Sequence, residues 1–441
     1  MSVATTSSTG ASRPLSLLWS GLGRGAALVF LPVFVAGQAI AWLTYAVSSW
    51  YRPWSWFKIG VAETLASVRV GFVSTTSGRQ PCGVFCRSDP TVEVGSAFAL
   101  AVGALLIAVV VLSFRAGREQ ARGLDGWPGA AALAGAVVGL GFAIPMVVVA
   151  IPVTLGFPQF GIDHLEPVLW QAFVLPLVVG GACGAVGGLS EVRGALEGRE
   201  PWGPRLVAAA RGGFTALWWG LALAFVGFLA VAALQPGPSA AYARFEDRTG
   251  GSGAALVVQH ALLLPNQSSM ILDSAMGSPT TIRLGDATLA RLSITGVDAI
   301  GNEGAAVAGL TGARSDHADF PSWYWTFLLV PAVATVMGGR TAGGGARGRR
   351  EAAARGALVG LVYATLCTIA AWFAAIVLPV FASTIGGSVR LGTDPIATAF
   401  AAAIWGVAGS TIGAVSVPAD SAASQKGADR SMHTVEQEAE T

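Results

Sequence analysis

The chain has 441 residues, of which 12% are charged and 53% apolar. A soluble domain carries about 25% charged residues, so this composition excludes a water-soluble globular fold and points to a surface that faces hydrocarbon. The net charge of +2 gives no electrostatic footprint for nucleic acid, and no block of like charges forms a strongly polybasic lipid-binding tail.

Residues 1–14 are rich in Ser and Thr and hold too little apolar area to fold, so a disordered cytoplasmic N-terminus is expected there. A membrane-crossing helix needs about 20 apolar residues. The first such stretch lies near 25–47. Its apolar run of about 23 residues exceeds the roughly 7–15 of a signal-peptide core, so it reads as a helix. An outer region, 48–92, follows. Within it Trp54, Phe57, Val61, Leu65, Val68 and Phe72 form a helical stripe, interrupted by Lys58, Glu63 and Arg69. That length suits an interfacial helix or a re-entrant segment. Cys82 and Cys86 lie in the same region. An oxidising exterior favours a disulfide between them, closing a very small loop; free thiols and a redox pair are the alternatives.

Further spans are expected near 93–114, 129–153, 168–189, 213–234, 320–338, 356–381 and 395–416. The fold class is therefore an all-α polytopic membrane protein with eight transmembrane helices. Between the fifth and sixth spans lies a second outer region, 235–319. Ala254–Met276 occupies the slot that 54–73 has in the first half, carries His260 and Asn266, and is expected to break at Pro265. Thr280–Ile294 alternates in the manner of a short strand pair. The polar tail 417–441 is expected to be disordered and cytoplasmic.

Arginine placement gives an orientation. The loops 115–128, 190–212 and 339–355 carry twelve Arg, whereas the short loops 154–167 and 382–394 carry Arg390 alone. Basic loops stay in the cytoplasm, which puts both termini there. With 25 Arg against only Lys58 and Lys426, and 58 Gly, the composition suggests a GC-rich bacterial genome and hence a bacterial inner membrane.

The chain reads as two halves, 15–189 and 190–416, with one layout: span, long outer region, span, basic loop, span, short outer loop, span. Gly135–Ala143 (GAVVGLGFA) and Gly356–Ala364 (GALVGLVYA) share six of nine residues. Pro167 and Pro395 open the fourth and eighth spans. Four spans per unit would relate the halves by an axis along the membrane normal. Small residues four apart let helices approach closely in lipid. Gly180/Gly184/Gly188, Gly135/Gly139, Gly356/Gly360 and Gly409/Gly413 supply such faces.

Chemistry is sparse. The chain contains no phosphate loop, His-Glu-x-x-His, nucleophile elbow or dinucleotide fingerprint, so no catalytic, cofactor or metal residues are assigned. Asp163, His164 and Glu166 form the densest titratable cluster, on a loop expected to be solvated. No expected span has Asp or Glu in its middle, which counts against a proton-coupled pump. Candidate cavity or ligand residues are Gln38 and Gln171 within spans and Glu63, Arg69, His260 and Asn266 in the outer regions.

The Arg/Ala/Gly-rich eight-span layout, with Leu262–Asn266 (LLLPN) followed by Ala275-Met276-Gly277, resembles actinobacterial multi-pass membrane proteins of the streptophobe and cell-division-associated envelope type. The resemblance implies a non-enzymatic envelope protein and transfers no site residues. A structural or regulatory role through lipid or protein contacts is the first expectation, with membrane lipids and another envelope protein as partners. A transporter or lipid-handling permease with a cavity between the halves is the alternative.

Overall fold

The computed structural model describes residues 12–45, 53–79, 91–122, 124, 127–157, 162–192, 194, 203–234, 253–284, 287–299, 317–319, 321–379 and 388–417. Cys82, Cys86, residues 1–11 and residues 418–441 lie outside them; Ser12–Pro14, expected to be disordered, instead open the first helix. The chain is mostly helical and divides into two compact units. Unit 1 comprises 1–196, 239–264 and 376–389, and unit 2 the remainder. The division thus departs from the contiguous halves expected, because 239–264 and 376–389 group with the first unit. Leu262 packs on Ile40 and Val102, and Val377 bridges Ala99 through reciprocal backbone hydrogen bonds.

In unit 1, α1 (Ser12–Arg24), a π-helical turn (Gly25–Phe30) and α2 (Leu31–Tyr45) form one rod. It is followed by α3 (Pro53–Ala66), β1 (Phe72–Arg79), β2 (Thr91–Phe98), α4 (Gly103–Ala121), α5 (Pro128–Ala150), β3 (Leu155–Phe157), β4 (Ile162–Pro167) and α6 (Leu169–Glu191). The strands run in the order β2-β1-β4-β3. Phe72 stands opposite both Phe98 and Pro167. The core gathers Val29, Val33, Leu65, Val138, Phe142 and Met146 from four helical segments.

Unit 2 holds α7 (Gly203–Leu234), the C-terminal half of α8 (Gly253–Ala275), β5 (Thr280–Leu284), β6 (Ala287–Leu292), β7 (Gly296–Ala299) and β8 (His317–Asp319). A 3-10 turn (Ser322–Leu328) then leads into α9 (Leu329–Gly343), α10 (Arg349–Ala374), most of β10 (Ser388–Thr393) and α11 (Pro395–Val415); β9 (Ile376–Pro379) belongs to unit 1. The strands of unit 2 lie in the order β8-β7-β6-β5-β10. The core packs Ala216, Leu272, Met276, Tyr363, Cys367 and Ala402.

Six helices among the described residues are long and apolar enough to cross a membrane: Ser16–Thr44, Pro128–Ala150, Leu169–Glu191, Gly203–Val231, Arg349–Ala374 and Pro395–Val415. They match six of the eight expected spans, with shifted ends. The other two differ. Residues 93–98, expected to open the second span, lie in β2, and the helix that follows carries Arg115, Arg118 and Glu119 in its last turns. Residues 322–328, expected in the sixth span, form the 3-10 turn, leaving α9 only 15 residues. The mostly helical fold fits the all-α reading, and ten short strands accompany the helices among the described residues. The hairpin expected over 280–294 is present as β5 and β6. The expected break at Pro265 is absent, since α8 runs through it.

The glycine faces meet backbone to backbone. A Cβ on Gly139 would lie 2.6 Å from Gly181 Cα, and one on Gly360 would lie 2.6 Å from Gly406 C. Gly184 abuts both Gly135 and Gly117, so one glycine on α6 receives two helices. Overpacking a tight core costs about 1–3 kcal/mol. Gly139→Val should lower the melting temperature of the detergent-purified protein correspondingly. Gly129→Val, where a Cβ meets nothing within 4 Å, should not; equal losses in the two would refute this packing account.

Candidate functional site

The polar residues singled out in the first unit mostly fasten α3 and β1 to the spans. Helix α3 crosses α2 where both are thin: a Cβ on Gly60 would strike the Gln38 amide at about 2.5 Å. Gln38 Nε2 donates to the Phe57 carbonyl at 3.3 Å, and its buried Oε1 has no hydrogen-bond partner among the described residues. Lys58 Nζ donates to the Thr154 carbonyl at 2.9 Å, joining α3 to the turn after α5. Gln171, in the first turn of α6, accepts the Gly71 N–H at 2.7 Å, while Val168 N–H donates to the Gly71 carbonyl at 2.8 Å. Both backbone groups of Gly71 are therefore held by the start of α6.

Glu63 is half-buried on α3, with no ion-pair partner among the described residues, and burial pushes its carboxyl up to about 7. Arg69 is buried and adopts φ +63°. It closes α3 with the turn in which Val70 N–H donates to the Leu65 carbonyl. In the second unit Gly277, at φ +98°, closes α8 in the same way, Ser278 N–H donating to the Asp273 carbonyl at 2.9 Å. The left-handed conformation suits glycine and strains arginine.

The densest buried chemistry lies in unit 2, where the end of α8 meets β10, α10 and α11. Asp273 is 1% exposed; its Oδ2 accepts from Thr393 Oγ1 at 2.7 Å, and its Oδ1 has no hydrogen-bond partner among the described residues. Around it, Ser278 Oγ lies 3.0 Å from Thr398 Oγ1, and Thr281 Oγ1 donates to the Gly392 carbonyl at 3.1 Å. Tyr363 hydroxyl reaches Met276 Sδ at 3.5 Å, and Trp405 Nε1–H donates to the Met276 carbonyl at 3.2 Å. Asn266, Ser268 and Ser269 are buried on the same helix. Burial, opposed only by the Thr393 hydrogen bond, pushes the Asp273 carboxyl up to about 7.

The remaining candidates do not converge on one site. His260 is half-buried on the N-terminal half of α8, and burial lowers its pKa. His164 and Glu166 are exposed and alternate with buried Leu165 and Pro167. The segment expected to be a loop is thus strand β4, whose charged side chains point outward. Asp394 caps α11, its Oδ1 accepting the Ile396 N–H at 2.9 Å. No group of three or more metal-ligating side chains occurs among the described residues.

Sequence reasoning missed Asp273. The signal available was an acid in the mostly apolar run Met270–Met276, but its Thr393 partner lies 120 residues away. Gln120 was missed as well. It is buried on α4, accepts from Arg24 Nη1 and donates to the Leu17 carbonyl and Ser20 Oγ, both at 2.7 Å.

A carboxyl whose folded-state pKa lies above its unfolded value holds its proton longer in the folded protein. Its contribution is greatest below the unfolded value near 3.9 and is lost as pH rises through about 7. Glu63 acts in the same direction and His260 in the opposite one, so the difference between variants isolates Asp273. Asp273→Asn should flatten the fall in melting temperature between pH 5 and pH 7 relative to wild type. A parallel pair of profiles would show that Asp273 is ionised throughout.

Comparison with family models, with curated proteins and with solved structures finds no match to this chain.

Proposed function

We propose that the protein is a structural or regulatory component of a bacterial envelope: a membrane-embedded platform that holds two outer β-sheets for contact with another envelope protein. The observation that carries this reading is the use made of the polar side chains near the spans. Gln38 and Lys58 tie α3 to α2 and to the turn after α5, and Gln171 on α6 holds the backbone of Gly71 just before β1. A permeation path would instead need such groups turned toward a cavity. The close glycine contacts within each unit, at Gly139–Gly181 and Gly360–Gly406, favour rigid bundles in the same sense.

The two units are read as tandem copies of one four-span unit, of the kind expected for an eight-span chain. Supporting this are the shared strand orders β2-β1-β4 and β6-β5-β10, and the glycines of α5 and α10 at matching places. The turns at Arg69 and Gly277 close α3 and α8 alike. Both termini are placed in the cytoplasm by the distribution of arginine. The envelope role is the one suggested by the likeness to actinobacterial multi-pass proteins. A permease is the second reading, favoured by the buried Asp273, whose Oδ1 has no hydrogen-bond partner among the described residues.

Native mass spectrometry of protein gently extracted from its own membrane separates the two. A stoichiometric protein partner that cross-links to 72–98 or 280–319 is expected. A retained small molecule with no protein partner would overturn the platform in favour of the permease. For topology, a fluorescent protein fused after residue 430 should fluoresce, and alkaline phosphatase inserted near residue 305 should be active. The reverse pattern would invert the orientation.

A further inference from the structure

We propose that unit 2 carries a binding site for one monovalent alkali cation, at Oδ1 of Asp273, where the end of α8 meets β10 and α11. Asp273 lies in the last turn of α8 and is 1% exposed. Its Oδ2 has the Thr393 hydroxyl, whereas its Oδ1 has no hydrogen-bond partner among the described residues. No arginine, lysine or histidine among them bonds the carboxylate. Tyr363 and Cys367, the titratable side chains of α10 within electrostatic reach of it, bring no positive charge. An ionised carboxyl buried in this way needs a counter-charge. A water at Oδ1 would supply a hydrogen bond but no charge. A proton offsets the charge below about pH 7 but brings Oδ1 no partner. A cation meets both needs.

The oxygens around Asp273 are acceptors in excess of donors. Thr393 gives its only proton to Oδ2, and Thr281 gives its own to the Gly392 carbonyl. The lone pairs of both hydroxyls therefore meet no donor among the described residues. Ser278 and Thr398 share one hydrogen bond at 3.0 Å, and whichever donates it is left in the same condition. All four side chains are buried and belong to unit 2. Unfilled hydroxyl lone pairs, a carboxylate and the negative, carbonyl end of α8 together suit a hard cation. The charge then selects the valence. One carboxylate balances one positive charge, and a divalent ion would leave an excess charge buried. No set of three or more His, Cys, Asp or Glu among the described residues would hold a transition metal. The inference goes beyond the platform reading and does not depend on it, since a resident cation fastens β10 to α8 in a platform as in a permease.

The test melts the full chain in detergent at pH 8, in choline chloride, with sodium or potassium chloride replacing choline at constant ionic strength. At least one of the two alkali ions should raise the melting temperature by about 2–4 °C at about ten times its half-saturating concentration. Asp273→Asn, which keeps the shape and removes the charge, should abolish the rise. Thr393→Val should raise the half-saturating concentration by about tenfold, whereas Glu166→Gln, exposed on β4, should leave it unchanged. Equilibrium dialysis of wild type against the radioactive form of that ion should find one bound per chain. Melting that does not distinguish choline from either alkali ion, or a rise that survives Asp273→Asn, would overturn the site. So would a response to calcium or magnesium without one to sodium or potassium. Either result leaves the protein-partner experiment unaffected.

Discussion

Helices in a bilayer gain nothing by hiding apolar side chains from one another, because the lipid is as apolar as they are. They associate only where their surfaces fit closely enough for dispersion contacts to add up, and the closest fit available is backbone on backbone. This chain meets that constraint with glycine. Gly184 accommodates both Gly135 and Gly117, while Gly139 and Gly181 face each other one turn further along α5. In the second unit Gly360 meets Gly406, and Gly339 meets Ser410. Bulk at these points would separate helices on which the rest of each unit hangs, since neither α3 nor the strands form a core of their own.

On those bundles the non-spanning segments are held by a few polar bonds. In the first unit the fastening is carried by amides and a lysine: Gln171 and Lys58 bond backbone groups of another element directly. In the second it is carried by hydroxyls and one carboxyl, with Thr393, Ser278, Thr398 and Thr281 arranged around Asp273. The difference matters energetically. An amide or hydroxyl in a buried site costs little once bonded, whereas a carboxylate there costs far more unless it takes a proton or a cation. Asp273, with a single hydroxyl donor for its two oxygens, resolves that cost by protonation near neutral pH. A change in proton activity therefore has a desolvated carboxyl to act upon in the second unit, as it has at Glu63 in the first.

Part of this architecture was legible in the chain because it is local. Apolar runs long enough to span report themselves by length, and the glycine faces report themselves by a spacing of four; both Gly135/Gly139 and Gly356/Gly360 sit at the contacts. The hairpin at 280–294 was readable from its alternation. The stripe read over 54–73 gave the helix only as far as Ala66, and its last member, Phe72, lies in β1. Where local signals conflicted, the reading erred. Residues 93–98 are apolar enough to look like the start of a span, yet each of them pairs with β1. Pro265 looks like a break, yet the helix continues through it.

Membrane class, the positions of the close helix contacts and the asymmetry of arginine were set by the sequence alone, since each depends on composition or on residues within a turn or two. Which polar groups meet was decided only by the tertiary structure. Gly71 finds Gln171 across 100 residues and Asp273 finds Thr393 across 120. Nothing in the periodicity of either partner names the other, because a hydrogen bond depends on where two side chains arrive in space, and that is set by the packing of every helix between them.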